Sequence, residues 1–274
     1  LAFVAIIFIT PDTLLIRLSN IDTWGMLFYR GTIPFFVVLL GLIFFYKKKF
    51  FNALLNVGWT GVFYTISFSI CNITFIISIQ NTNVANTLVM IAIAPMLSAI
   101  LGGIFLKEMP SKKTWVAIIV TFSAVFYIFY DSLQLGNILG DLMALITATG
   151  LAVNAVLIRS AKDRDLLPAA IMGKGCVALF ALFFVESFAL SGNDLLYVPL
   201  MCVMCVAIPF VLVTIAPRYI PAEEVNLFFL LETILGPIWV WLVIKEEPSL
   251  ETIIGGSIII ITIGIHSYLK IKKS

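Results

Sequence analysis

Long apolar runs constrain this chain before anything else does. Stretches such as Phe35 to Tyr46 and Ile253 to Ile265, extended by their neighbours, reach the roughly 20 residues that a bilayer demands of a helix. Apolar residues make up 61% of the chain and charged residues 12%, with a mean hydropathy of +1.11. A soluble domain carries about 25% charged residues. The 274 residues are therefore divided into membrane spans, not soluble folding domains.

Apolar runs read against polar punctuation predict ten helices, near residues 1–18, 24–46, 56–80, 83–106, 113–130, 139–160, 167–190, 196–219, 221–244 and 250–270. Gln80-Asn81-Thr82-Asn83 is the only polar break between the third and fourth. The basic residues check this count, because cytoplasmic loops accumulate Lys and Arg. With both termini cytoplasmic, the inner loops hold Lys47, Lys48, Lys49, Lys107, Lys112, Lys113, Arg159, Lys162, Arg164 and Arg218, and the tail holds Lys270, Lys272 and Lys273. The outer loops keep only Arg17 and Lys245; nine spans would scramble this pattern. The net charge of +2 thus reflects topology and gives no sign of nucleic-acid binding. No signal peptide is visible. The apolar run that begins at Leu1 without Met is expected to lack the natural start, so targeting is not read from that end.

Lys107-Glu108-Met109-Pro110-Ser111 recurs, with one substitution, as Lys245-Glu246-Glu247-Pro248-Ser249, 138 residues later. Five predicted spans separate the two copies. Five is odd, so the second half crosses the membrane in the opposite sense, as an inverted repeat. The halves are taken as 1–133 and 134–274. Inverted repeats place a site near the bilayer midplane and let the two halves exchange conformations. The repeated segment itself reads as a helix-end and turn signal.

The segment Val84 to Ser111, with Pro95 and the closing Lys107-Glu108, is followed by a fresh apolar span from Trp115. A second copy runs from Ala222 through Leu231-Glu232 and Lys245-Glu246 to Gly255-Gly256. Together they resemble the repeat of the drug/metabolite transporter superfamily, EamA type. The second copy has Thr233 where the first has Pro95, with Pro237 a turn later. The resemblance implies an all-α integral membrane protein of ten helices around a central cavity, the fifth and tenth peripheral. It also implies export or exchange of small metabolites, often amino acids, and a bacterial inner membrane. The partners expected are a small solute, the lipid bilayer and, as a compatible assembly, a second copy of the chain.

Ionisable groups inside a bilayer cost about 2.5 to 3.5 kcal/mol each on insertion scales, so each is a functional candidate. Four stand out: Asp12, Arg30, Lys174 and Glu232. At about 1.5 Å per residue, Asp12 and Arg30 lie roughly 9 Å below the outer surface, where they could pair. Sliding the first half onto the second sets Lys174 opposite Arg30 and Asn154 opposite Asp12. Asn154 cannot neutralise Lys174, which leaves Glu232, near the midplane, as its compensating charge. Asn72, polar and mid-helix, joins the candidates, and its Asn-Ile-Thr sequon is discarded for the same reason. The alternatives are structural: an ion pair that only locks two helices, and a lysine that snorkels to the headgroups. Glu186 and His266, near span ends, read as interface residues.

Two intramembrane cations face two carboxylates. Phosphorylated solutes would call for several converging cations, so the balance favours a zwitterionic or neutral amphipathic solute. Phe63, Tyr64, Phe68, Phe75, Phe228 and Phe229 would tolerate an apolar side chain, although most of them face lipid or core. Glu232 or Asp12 could carry a coupling proton if burial disfavours its charge. Cys202-x-x-Cys205 matches a redox or zinc pair only in spacing; with no second pair or nearby His, the thiols read as small apolar residues. No cofactor or metal is expected. A lone histidine, His266, argues against a lipid-modifying membrane enzyme, and short loops argue against a sensor or assembly protein.

Overall fold

The computed structural model describes residues 2–47, 56–107, 109–135, 137–161, 164–215 and 222–271. Lys48, Lys49, Glu108, Lys162, Arg218, Tyr219, Lys272 and Lys273 lie outside the described residues, as does the end of the predicted 196–219 helix. The described elements are all helical: α1 Ala2–Ile9, α2 Asp12–Leu18, α3 Thr23–Tyr46, α4 Gly58–Asn81, α5 Val84–Ile91, α6 Ala94–Phe105 and α7 Lys112–Leu135. The second half holds α8 Ile138–Ser160, α9 Leu167–Leu182, α10 Asp194–Leu200, a π-helical segment Met201–Ala207, α11 Ile208–Ile215, α12 Ala222–Ile244 and α13 Leu250–Ile271. Seven stretches are long and apolar enough to cross a bilayer: α3, α4, α5 with α6, α7, α8, α10 with the π segment and the start of α11, and α13. Leu167–Leu182 and Phe229–Ile244 are shorter apolar helices.

Several predicted helices are interrupted, and proline explains two of the breaks. Pro11 has no N–H for the Ile7 carbonyl; the Thr10 hydroxyl donates to that carbonyl instead, at 3.0 Å. Trp239 Nε1 of α12 donates to the same hydroxyl, at 3.2 Å. Pro95 breaks the fourth predicted helix at Ala92-Ile93 in the same way, whereas α12 runs unbroken through Thr233 and Pro237. The helix predicted over 167–190 stops at Leu182. Its continuation is held by side chains off the helix axis: Phe184 stacks on Trp24 at 4.6 Å, and the Tyr29 hydroxyl donates to the Phe188 carbonyl at 2.5 Å.

Exchanging the halves exchanges the helix contacts. α4 packs on α8, as α11 and the π segment pack on α1; α9 packs on α4, as the π segment packs on α3; α5 and α6 pack on α8, as α12 packs on α1 and α2. α3 also meets α9, and α7 meets α13. Gly31 makes the α3–α9 crossing possible, because a Cβ there would stand 2.6 Å from the Ala178 nitrogen and 2.8 Å from the Lys174 carbonyl oxygen. Gly255 faces Ile128 and Gly256 faces Val89, consistent with close approach of α13. Gly102, by contrast, has open space where a Cβ would be, so no neighbouring helix is seated on it.

Both copies of the repeated segment form the same turn. Lys107 and Lys245 adopt positive φ, 58° and 64°, a left-handed conformation that ends a helix. Ser111 and Ser249 then cap the next one, each Oγ accepting from the backbone N–H three residues on, at 3.2 Å. Of the apolar clusters in the bundle, two are the largest. One joins α2, α3, α4, α5, α9 and the π segment through residues such as Ile16, Leu27, Ile79, Leu88 and Met201. The other joins α5 to α8 and α13 through Met90, Ile93, Ile128, Ala148 and Ile259.

Candidate functional site

Asp12 opens α2 directly after the Pro11 break, and Arg30 lies one turn before Pro34 of α3. The guanidinium grips the carboxylate with two bonds, Nη1 to Oδ1 at 2.5 Å and Nη2 to Oδ2 at 2.9 Å. Both residues are buried. Such a fork neutralises each charge where water cannot reach it, and Pro34 leaves the Arg30 carbonyl without its helical donor. Arg30 Cζ also lies 5.9 Å from the centre of the Phe75 ring.

Gly31 brings α9 against this pair, and with it Lys174, also buried. The lysine Nζ donates to Asn72 Oδ1 at 2.5 Å and lies 5.6 Å from the Phe68 ring centre. Asn72 is held in turn, its Nδ2 donating to the Phe68 carbonyl at 2.7 Å. Among the described residues no carboxylate pairs with Lys174. The compensating role expected of Glu232 is therefore corrected: α12 packs on α1, α2, α5 and α13, which directs Glu232 towards the Asp12–Arg30 pair. Glu232 is half-buried and forms no hydrogen bond or ion pair among the described residues. The charged groups that act on it are Asp12 and Arg30, the same two that act on Lys174. Four ionisable groups from α2, α3, α9 and α12 thus share one region, with balanced formal charge.

Asn154 is buried but sits apart from Lys174. Its Nδ2 contacts Cys71 Sγ at 3.7 Å, while its Oδ1 has no hydrogen-bond partner. The slide that set it opposite Asp12 does not carry over the pairing, because Asn72 of α4 occupies the lysine. Cys202 and Cys205 are free thiols on the π segment, packed in the apolar core beside Arg30. A groove of about 570 Å³ between α4 and α8, lined by residues such as Phe63, Ile66, Ile70, Leu142 and Ile146, is apolar and lipid-facing; it is separate from the charged region. Two residues named in the sequence analysis take contacts there that it did not assign to them. Phe68 provides the ring beneath Lys174, and Glu246 of the second repeated segment forms an ion pair with Arg17, Nε to Oε2 at 3.2 Å. The repetition of that segment was the available signal for Glu246.

A bundle of long apolar helices enclosing buried, partly compensated charges defines a polytopic membrane protein. Residues 1–130 and 138–268 each match the EamA-like transporter family, and the chain belongs to that family of membrane transporters. One solved crystal structure, of a protein 16% identical, superposes over 98% of this chain and 96% of that one with a TM-score of 0.67, which speaks for the fold. No curated protein matches the chain in sequence.

Proposed function

We propose that the chain is a secondary carrier that moves small zwitterionic metabolites, amino acids among them, by alternating access around the Lys174–Glu232 region. The observation that carries this reading is the asymmetry of the four charges. Asp12 and Arg30 satisfy each other, whereas among the described residues Lys174 bonds to a neutral amide alone and Glu232 has no bonded partner. A solute carboxylate would complete the lysine and a solute ammonium would complete the glutamate. In low dielectric, each such contact is worth more than it is in water.

The proposed architecture is ten spans in two inverted halves, both termini on the cytoplasmic side of a bacterial inner membrane. Two observations support it. Contacts exchange when the halves exchange, as a pseudo-twofold requires. Loop ends also sort by face: Arg17 meets Glu246, Asn20 meets Asp194, Asn83 meets Glu247 and Gly140 meets Asn81, all assigned outside. Thr114 meets His266, and Gly58 meets Arg164, all assigned inside.

The test is a thermal-shift screen of amino acids and phosphorylated metabolites on the purified protein, repeated with Lys174→Ala and Glu232→Ala. Stabilisation by a zwitterion that disappears in both variants supports the reading. Stabilisation confined to phosphorylated solutes, or equal in all variants, overturns it.

A further inference from the structure

At the end of the bundle assigned to the outer face, three chain segments meet around one carboxylate. Arg17 of α2 reaches Glu246, with Nε 3.2 Å from Oε2 and Nη2 donating to Oε1 at 3.3 Å. The same Nη2 donates to the Thr82 carbonyl at 2.7 Å. Glu246 Oε1 also accepts from the Val84 N–H at 2.8 Å, the first residue of α5, where the positive end of the helix favours an anion. Asn83 adds a bond from Nδ2 to the Glu247 carbonyl at 3.1 Å. Arg17 and residues 82–84 belong to the first half; Glu246 and Glu247 belong to the second. Leu15, Ile16 and Val84, next to these groups, enter the apolar core that also holds Ile79, Leu88 and Val240, and Asp12 of the Asp12–Arg30 pair opens the helix that carries Arg17 in its last turn.

We propose that Glu246, held by Arg17 and the N-terminus of α5, is a latch that shuts the outer route to the charged region and releases when the protein opens to that side. The proposal rests on the alternating-access reading above. Moving α12 away from α2 and α5 must part every bond to Glu246 and Glu247, since each of these crosses between the halves; the Arg17–Thr82 bond lies within the first half and can stay. The pair is partly exposed, with 25% of the Arg17 side chain and 21% of the Glu246 side chain accessible, so water can take over the freed groups and the closure is reversible. A purely structural ion pair would need none of this placement across the repeat boundary. The residues before the arginine also recur: Leu15-Ile16-Arg17 reappears as Leu157-Ile158-Arg159, so the repeat carries an arginine at the matching end of the sixth predicted span.

Cys202 and Cys205 report on the route, because both are buried in the same apolar core as Leu15, Ile16 and Val84, the neighbours of the latch residues. The full chain, with Cys71→Ala and Cys176→Ala as background, is placed in right-side-out vesicles and treated from outside with a membrane-impermeant methanethiosulfonate. Arg17→Gln and Glu246→Gln are each expected to speed modification by about tenfold, equivalent to about 1.4 kcal/mol in the closed-to-open balance. Arg17→Lys, which keeps the charge but gives up the fork to Glu246 and Thr82, is expected to fall between the background and Arg17→Gln. Raising external salt on the unaltered latch should also speed modification, because salt screens a partly exposed pair; this arm depends on no variant folding. Unchanged rates in both Gln variants and in salt overturn the latch, as does lost thermal stability without any gain in modification. Labelling requires no substrate. Faster labelling without flux of any amino acid would therefore defeat the proposed substrate and leave the latch standing.

Discussion

Asp12 and Arg30 show how a buried charge is tolerated in a membrane: each removes the need of the other for water, through two bonds in one plane. Removing one partner strands the other. Asp12→Asn is expected to destabilise the protein by about 3 to 5 kcal/mol, the penalty for an uncompensated buried charge, measured as a fall in thermal unfolding temperature in detergent. Lys174 is different, because its contacts are a neutral amide and an aromatic face. Lys174→Ala should therefore leave the fold largely intact and abolish ligand-induced stabilisation, a loss of about 1.5 to 3 kcal/mol of binding for one charged hydrogen bond. Glu232 lies in the same region with no bonded partner among the described residues, and Glu232→Gln separates its two proposed roles. If the carboxylate carries a coupling proton, flux that responds to a pH gradient in the native protein becomes insensitive in the variant. Insensitivity in both would leave Glu232 with solute binding alone.

Among elements, the two halves solve the same problem with different parts. The fourth predicted span breaks at Ala92-Ile93 because Pro95 withholds an N–H from Ile91. α12 has Thr233 at the corresponding place and stays continuous. If the break serves as a hinge, Pro95→Ala should raise thermal stability slightly and slow transport, as read by counterflow in proteoliposomes. The α3–α9 crossing has no such freedom. Gly31→Val must push apart the backbones that hold Arg30 and Lys174, at about 1 to 3 kcal/mol for overpacking. Its unfolding temperature and ligand response are expected to fall together.

For the whole molecule, topology is the property that charge and contacts address jointly. Loop ends assigned outside touch one another, and those assigned inside do the same. Single cysteines at Asn193 and Ser249 should react in intact cells with an impermeant maleimide, whereas one at Lys112 should react only after the membrane is opened. Reaction of all three from outside would refute the arrangement. The apolar α4–α8 groove faces lipid in this arrangement, so substitutions at Ile66 or Ile146 are expected to change ligand response little.

Lipid as the solvent, a helical fold, an internal repeat and the four charges within the helices were all legible in the sequence. Each follows from local quantities: runs of apolar residues, the distribution of Lys and Arg, and a segment that occurs twice. Pairing was legible for Asp12 and Arg30, whose depths agree within adjacent helices. It was not legible for Lys174, because its neighbour Asn72 lies on a helix whose rotation depends on packing between the halves. Only the tertiary structure put Glu232 beside the ion pair instead of the lysine, brought Cys202 and Cys205 under Arg30, and turned the second copy of a helix-end motif into a contact with Arg17. The physical reason is the same in each case: sequence patterns set how deep a residue lies, while helix crossings, fixed by sites such as Gly31, set which residues face one another.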